Sequence, residues 1–300
     1  MKHSRTIKPK TSEYVFQGVN YVVLTLLTLL FLIPFLIVLS TSFVSSAEYA
    51  RRGSLILFPQ KIDFDAYRVL LTQGSILLNA YKITLFRVVV GTACNLLFTA
   101  MLAYGIAKKG IPGRNGIITM VFITMVFYGG LVPSYLLVKS LGLVDSVWSM
   151  VFPSLINAWW LIIMKNFFAQ IPESLEESAF IDGANAGTVL LRIVVPLSMP
   201  IFATIGLFYA VWHWNSWFDA SIYINGTTKL PIQVIMRNIV LSMSNQDLNQ
   251  SVLADMATTP PPAATVRSAV IIVSTLPILL LYPFLQKYFV KGMIVGSLKG

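Results

Sequence analysis

The sequence predicts an all-α fold, a polytopic bundle of helices embedded in a membrane, and three observations carry that prediction. Hydrophobic residues make up 56% of the chain and charged residues only 11%, where an ordinary soluble domain carries about 25% charged residues. Mean hydropathy is +0.75. The apolar residues also come in continuous runs of about 20, enough for a helix to cross a hydrocarbon core of about 30 Å, and not in the alternating segments of about ten that mark a membrane barrel. Backbone polar groups cannot stay unpaired in lipid, so such runs become helices.

Taken in order, the runs are Tyr14 to Phe43, Ile83 to Ala107, Gly116 to Val138, Val147 to Phe168, Pro200 to Ile222 and Ala263 to Phe284, which predicts six transmembrane helices. The first follows a basic lead and ends in the small residues Val44-Ser45-Ser46-Ala47. That is the outline of a signal peptide, but the run far exceeds the roughly 7–15 apolar residues of a signal core, so an uncleaved anchor is expected. The predicted organisation is a tail over 1–13, a membrane domain over 14–289 with a polar loop at 170–200, and a tail over 290–300. No internal repeat is visible.

Orientation follows from where Lys and Arg crowd the ends of the runs. Lys2, Arg5, Lys8 and Lys10 precede the first, Lys108, Lys109 and Arg114 separate the second and third, and Lys287, Lys291 and Lys299 follow the last. With six spans all three groups fall on one side, which places both termini and the loop between the fourth and fifth spans in the cytoplasm. Arg51, Arg52, Lys61 and Arg68 lie on the other side, with Glu48, Asp63 and Asp65 among them. The formal charge of +10 is scattered at span ends, which fits anchoring to anionic lipid and not nucleic-acid binding.

Several chemistries are excluded or unsupported. Cys94 is the only cysteine and sits inside the second span, so neither a disulfide nor a thiolate metal site forms within one chain. His3 and His213 belong to no metal-binding pair, and no G-x-x-x-x-G-K-[ST] loop is present to hold ATP. The chain reads as non-enzymatic, with no cofactor of its own.

The informative segment is the polar island Glu177 to Pro196 between two long apolar runs. Pro172 suits a first helical turn, and Glu173, Glu176 and Glu177 put negative charge where the helix dipole favours it. A short helix is expected from about Pro172 to Asp182 with its carboxylates in water. Gly183 then turns the chain, and Ala184 to Val195 forms a second short helix until Pro196 and Pro200 break it. Leu175, Ala179 and Phe180 are available to pack on membrane helices or a partner. Alone, Glu177 is an ordinary dipole residue and Gly183 an ordinary cap; together, at this spacing, they carry a signal.

Glu177-Ser178-Ala179, then Asp182-Gly183-Ala184, then Ile193-Val194-Val195-Pro196 resembles the E-A-A-x-x-x-G-(x9)-I-x-L-P signature of bacterial ABC importer permeases, with Ser178 for Ala and Val195 for Leu. Asp182-Gly183-Ala184 and Pro196-Leu-Ser-Met-Pro200 narrow the likeness to carbohydrate permeases similar to the maltose-type inner subunit. Tyr282 to Gly292 and the closing Gly296-Ser-Leu-Lys-Gly300 resemble that family's C-terminal tail. The Trp212 to Asp219 run and the long fifth-to-sixth loop resemble the branch that handles oligosaccharides from polysaccharides.

The resemblance implies the type I importer permease fold with a cytoplasmic coupling helix. It also implies a second permease subunit, two ATPase subunits that bind ATP and Mg, and an extracytoplasmic sugar-binding protein, all at a bacterial cytoplasmic membrane. In the coupling loop it points to Glu177, Ser178, Ala179, Phe180, Asp182, Gly183, Ala184 and Pro196. Glu177 would pair with a basic group on the ATPase, Gly183 would supply the turn into its cleft, and Phe180 and Ala184 would pack inside.

Sugar hydroxyls need hydrogen-bonding partners and sugar C–H faces stack on aromatic rings. Candidates along the pathway are Asn95, Tyr128, Asn157, Trp159, Trp160, Tyr209, Trp212, His213 and Asn215. Trp212, Trp214 and Trp217 also fit an interfacial belt, and Asn95 and Asn157 also fit interhelical bonding. Arg87 is expected to snorkel or to pair near the outer end of the second span, with a place on the cavity wall as the other reading. The loop from Asn225 to Pro262, with Asn245 to Gln250 and Pro260 to Pro262, reads as exposed, either touching a binding protein or serving as a connector. An importer of peptide or polyamine shares the coupling signature. An ion-coupled transporter needs carboxylates in mid-span, and Asp219 alone comes close to one.

Glu177→Lys is expected to abolish transport while leaving the subunit folded and assembled. Uptake assays on membranes carrying the variant check this, and wild-type uptake would remove the coupling role from Glu177.

Overall fold

The computed structural model describes residues 11–53, 55–72, 74–242 and 261–297, the last seventeen of them by backbone alone. Among the described residues every regular element is helical. Three helices are long and apolar enough to cross a membrane, Ser12–Thr41, Ile76–Ala107 and Ala263–Leu280, and three further pairs reach that length only across a bend. The chain divides into two compact units, one from the residues up to Thr72 with Ile239–Val273, the other from Gln73–Asn238 with Ser274 onward.

In the first unit, α1 (Thr11–Thr41) carries Pro34 in its interior and has none of its apolar window covered within the chain. Beyond it, Ser45 caps α2 (Ser46–Arg52) by accepting the Glu48 N–H. Glu48 is buried and accepts from Arg52 at 2.6 Å and from the Gln60 N–H at 2.9 Å. The Gln60 N–H, with Arg52 beside it, holds the Glu48 carboxyl below its ordinary pKa against the opposing pull of burial. Phe43 stacks on Tyr67 of α3 (Asp65–Thr72), and Arg68 pairs with Asp65. The acidic residues scattered among the loop's arginines therefore neutralise two of them locally.

The second unit is built on one continuous helical run. Here α4 (Gly74–Phe86) passes through a π-turn, Arg87–Gly91, into α5 (Thr92–Ala107). Small residues at Ala100, Ala103 and Ala107 keep one side of α5 narrow, and α8 (Ala158–Phe168) packs there through Leu161, Met164 and Phe168. Close approach along small residues is how helices associate where lipid is as apolar as leucine.

The third predicted run does not form one straight span. It breaks into α6 (Arg114–Val126) and α7 (Leu131–Ser140), which meet at 120°. Phe127 is extended and Gly130 takes φ +90°, a left-handed value that glycine adopts without a Cβ clash. The fourth run begins as 3₁₀ turns, Val147–Met150 and Phe152–Ser154, and bends by 53° into α8, whose first N–H groups bond the side chain of Asn157. The fifth run is shorter than expected. The coupling segment contributes α9 (Glu173–Ile181), α10 (Ala186–Val189) and α11 (Val195–Leu197), and the run then continues as α12 (Met199–Asn215) and, after Ser216 and Trp217, as α13 (Phe218–Tyr223).

The expected exposed loop from Asn225 is likewise corrected at its start. After a 3₁₀ turn at Thr227–Lys229 comes α14 (Ile232–Ser242), with Ile232 and Val234 buried and the Ile232 N–H bonded to Thr84 Oγ1. Ile232, Ile235 and Met236 recur at helical spacing, so the segment buries an apolar face. Asn245 to Gln250 and Pro260 lie outside the described residues. The last helix, α15 (Ala263–Ser297), runs past Phe284 into the expected tail.

A clamp ties α7 to the segment after α13. Asp145 has φ 59°, and its Oδ1 accepts the N–H groups of Asn225 and Gly226, both at 3.1 Å. Lys229 reaches its Oδ2 at 2.7 Å. Bonding from Lys229 and the two N–H groups lowers the Asp145 pKa from 3.8 to about 2. A depressed carboxyl contributes its full stabilisation above its unfolded pKa and loses it as pH falls through the folded value. Hydrogen exchange at Asn225 and Gly226 is therefore expected to accelerate between pH 4 and pH 2 beyond the intrinsic trend and to follow that trend above pH 5; equal protection at pH 2 and pH 5 would contradict the clamp.

Candidate functional site

Two sites lie in the second unit. The first is the segment around α9 that the signature singles out. Pro172 sits just outside α9 instead of in its first turn, and Glu173 and Glu176 fill that turn, where the dipole stabilises them. The helix closes at Asp182, and Gly183 takes φ +83° so that the Ala184 N–H can return to the Ala179 carbonyl at 2.9 Å. Asn185 starts the next helix by accepting the Thr188 N–H at 2.8 Å. Proline does not end that helix. A π-turn over Leu190–Val194 carries the chain through Pro196 at the start of α11, and the 87° bend comes at Ser198.

The faces of α9 sort the carboxylates, and here the expectation of uniformly wet acids is corrected. Glu177 and Glu173 are exposed, but Glu176 is buried, receiving a hydrogen bond from Tyr104 Oη at 2.9 Å and an ion pair from Lys108. The Lys108 ammonium also lies over the Tyr104 ring. Position along the helix decides this: Glu176 faces the end of α5, while Glu177 turns 100° away. Ala179 and Ala184 are partly buried against the chain's own core. Phe180 is half-exposed and Ile181 is 86% exposed. Ile181 was not anticipated, although it stands four residues after Glu177 on the same face. Ser178 and Asp182 are exposed beside them.

The second site is a cavity of about 1010 Å³ bordered by Tyr128, Ser149, Ser154, Trp212, Asn215, Trp217, Asp219 and Tyr223 among others. Tyr128, Trp212 and Asn215 are the predicted pathway residues that reach its surface. Asn95, Tyr209 and His213 form a buried polar layer that is not part of its lining. Asn95 is fully buried, donates to the carbonyls of Ser154 and Leu155 at 2.6 and 2.9 Å, and meets His213 Nε2 at 2.8 Å. His213 Nδ1 accepts from Arg87 Nε at 3.3 Å. Tyr209 exchanges a hydrogen bond with Thr99 at 2.8 Å and accepts the Asn157 N–H at 3.1 Å. Trp160 stands edge-on to Tyr209. Trp159 is 62% exposed, and Asn157 spends its side chain as a helix cap.

Arg87 does not snorkel. It is completely buried and pairs with Asp219 through both terminal nitrogens, while one of them also reaches the Ser216 carbonyl at 3.3 Å. Asp219, Ser149, Trp217 and Tyr223 are cavity residues that the pathway candidates omitted. The available signal was the pairing of one arginine and one aspartate, each in an apolar run, since charges at membrane depth find each other.

The chain resembles known proteins along its whole length. It is 42% identical over 286 residues to the polygalacturonan/rhamnogalacturonan transport system permease protein YtcP of Bacillus subtilis, covering 95% of this chain and 99% of that one. It is 26% identical over 278 residues to the arabinooligosaccharides transport system permease protein AraQ of the same organism, covering 92% and 93%. Among solved structures, a bacterial ABC transporter involved in the import of the acidic polysaccharide alginate contains a chain that matches with TM-score 0.86 and 32% identity, over 95% of this chain and 100% of that one. No family model matches the sequence.

One contact in the buried layer is testable directly. A Cβ on Gly91 would stand 2.5 Å from His213 Nε2, whereas one on Gly105, in the same helical run, would meet nothing within 4 Å. Gly91→Ala is expected to destabilise the subunit by about 1–3 kcal/mol, as overpacking of a filled core does. The check is a lowered thermal midpoint of the detergent-purified protein, with Gly105→Ala unchanged or slightly raised.

Proposed function

The chain belongs to the permease subunits of ABC carbohydrate importers, and from that membership we propose that it forms one half of a membrane pathway for an oligosaccharide handed over by an external binding protein. It is a transport subunit and not an enzyme. ATP and Mg would be held by two ATPase subunits, a related permease would complete the pathway, and both termini would face the cytoplasm.

The observation that carries this reading is that one helix serves both sites. At one end of α5, Tyr104 and Lys108 grip Glu176 of α9; further along the same helix, Asn95 and Thr99 hold His213 and Tyr209 of α12, the helix whose Trp212 and Asn215 border the cavity. On this reading Glu177, Phe180 and Ile181 present the outward face to the ATPase, and Glu176 fastens that face to the membrane helix. Closure of the ATPase pair would then move α5 and, with it, the cavity wall. The names of the relatives favour saccharide over peptide or polyamine. Ion coupling is disfavoured because Asp219, the carboxylate at the cavity, is already neutralised by Arg87.

Purification of the membrane complex is expected to recover an ATPase and a second permease. In liposomes the complex should import at least one member of a panel of oligogalacturonates, rhamnogalacturonate oligomers and arabino-oligosaccharides, with ATPase activity stimulated by loaded binding protein. Uptake that persists without an ATPase, or a complex that carries no saccharide, would overturn the proposal.

A further inference from the structure

The cavity wall has a specific polar centre. Asp219 is about a quarter exposed where it borders the cavity, while the guanidinium that carries it is fully enclosed. Arg87 directs its Nε to His213 and its terminal nitrogens to Ser216 O and both Asp219 oxygens. Oδ1 of Asp219 also accepts the Ala220 N–H at 2.8 Å. Oδ2 receives only the arginine among the described contacts, so it keeps acceptor capacity. The guanidinium behind it holds the carboxylate in place.

Two flat rings share the cavity lining with this carboxylate. Trp212 and Trp217 both border the cavity, and each is backed by a guanidinium, Arg87 at 5.7 Å from the Trp212 centroid and Arg237 at 4.3 Å from that of Trp217. Asn215, also on the cavity, gives its NH₂ to the Val211 carbonyl, which leaves the amide oxygen as a second acceptor. The described lining contains no lysine or arginine. A planar acceptor in the same wall as aromatic rings suits the chemistry of a sugar ring: hydroxyls donate to the carboxylate and C–H faces lie on the indoles.

We propose that Asp219, held on Arg87 in a cavity wall that it shares with Trp212 and Trp217, is a hydroxyl-accepting site for one ring of the transported saccharide; this rests on the saccharide reading above. Arg87 acts as a positioning residue, since it touches Asp219 and not the cavity.

The test uses the complete importer in liposomes and the panel saccharide that the wild type imports. Asp219→Asn is expected to lower uptake about tenfold, the scale of one charge-assisted hydrogen bond, while ATPase stimulation by loaded binding protein is retained. Unchanged uptake would overturn the proposal. So would increased uptake of an acidic saccharide, because it would mean that the freed Arg87 reads the carboxylate. Because Asp219→Asn leaves a lone buried cation, the double variant Arg87→Gln with Asp219→Asn is measured beside it. Low uptake in the assembled double variant supports the site, whereas wild-type uptake would show that the pair is only structural. Failure of the wild type to import any panel member is a separate result and sinks the saccharide reading itself.

Discussion

The architecture of the cavity follows from one constraint, that a guanidinium buried in a membrane bundle must be met on every side. A charge at the centre of a bilayer helix costs about 2.5–3.5 kcal/mol on insertion scales and more in isolation, and removing one partner of a buried pair leaves the other uncompensated. Arg87 is met by a carboxylate, an imidazole nitrogen and a carbonyl oxygen. The carbonyl is available because α12 ends at Asn215 and Ser216 is extended. Were the helix to continue, Ser216 O would accept a helical N–H and Asp219 would lie a turn farther along. The break that shortens the fifth span is thus the geometry that satisfies Arg87. The π-turn beginning at Arg87 and the bare Cα of Gly91 do the same on the other side, letting His213 approach the helix backbone.

The same helical run reaches the coupling segment. Asn95 and Tyr104 are nine residues apart, about 14 Å along an α-helix at 1.5 Å per residue, and α5 between them is regular and packed on α8. A rigid element gripped by hydrogen bonds at both ends moves as a body, which is the kind of connection that carries coupling free energies of about 1–3 kcal/mol between sites. Glu176 matters more to this than its neighbour in the signature. Glu177 faces outward and is available to a partner, while Glu176 joins α9 to α5 through Tyr104 and Lys108. On the proposed reading, force enters through one acid and is passed inward by the other.

What the sequence made legible was whatever depends on local chemistry. The spans follow from hydrocarbon thickness, the start of α9 from Pro172 and its acids, and its end from Gly183, where φ is +83°. The pairings were not legible, because Arg87 and Asp219 lie 132 residues apart and Asn95 and His213 lie 118 apart. Hydropathy also hides bends: Phe127, Gly129 and Gly130 are all compatible with an apolar span, yet the chain turns there by 120°. Asn95, Tyr209 and His213 were sought as pathway residues for their polarity, and that polarity is used up among themselves. A polar side chain in an apolar run predicts a partner, and only the fold tells whether the partner is the protein or its ligand.

That distinction bears on how a permease avoids trapping its cargo. A conduit has to hold its solute well enough to admit it and weakly enough to release it. A wall in which Asn95, Tyr209 and His213 all pointed inward would offer several directional hydrogen bonds per sugar ring, and each is worth about 0.5–1.5 kcal/mol net. Three such bonds would amount to a retention of ten- to a thousandfold or more, enough to slow release. Instead these groups are satisfied within the protein, and the surface left to the cavity is aromatic and aliphatic with a few acceptors. Aromatic faces take many sugars without selecting strongly among them. Selection of the saccharide would then fall chiefly to the protein that delivers it, and the buried polar layer serves the permease by keeping the wall both rigid and only weakly adhesive.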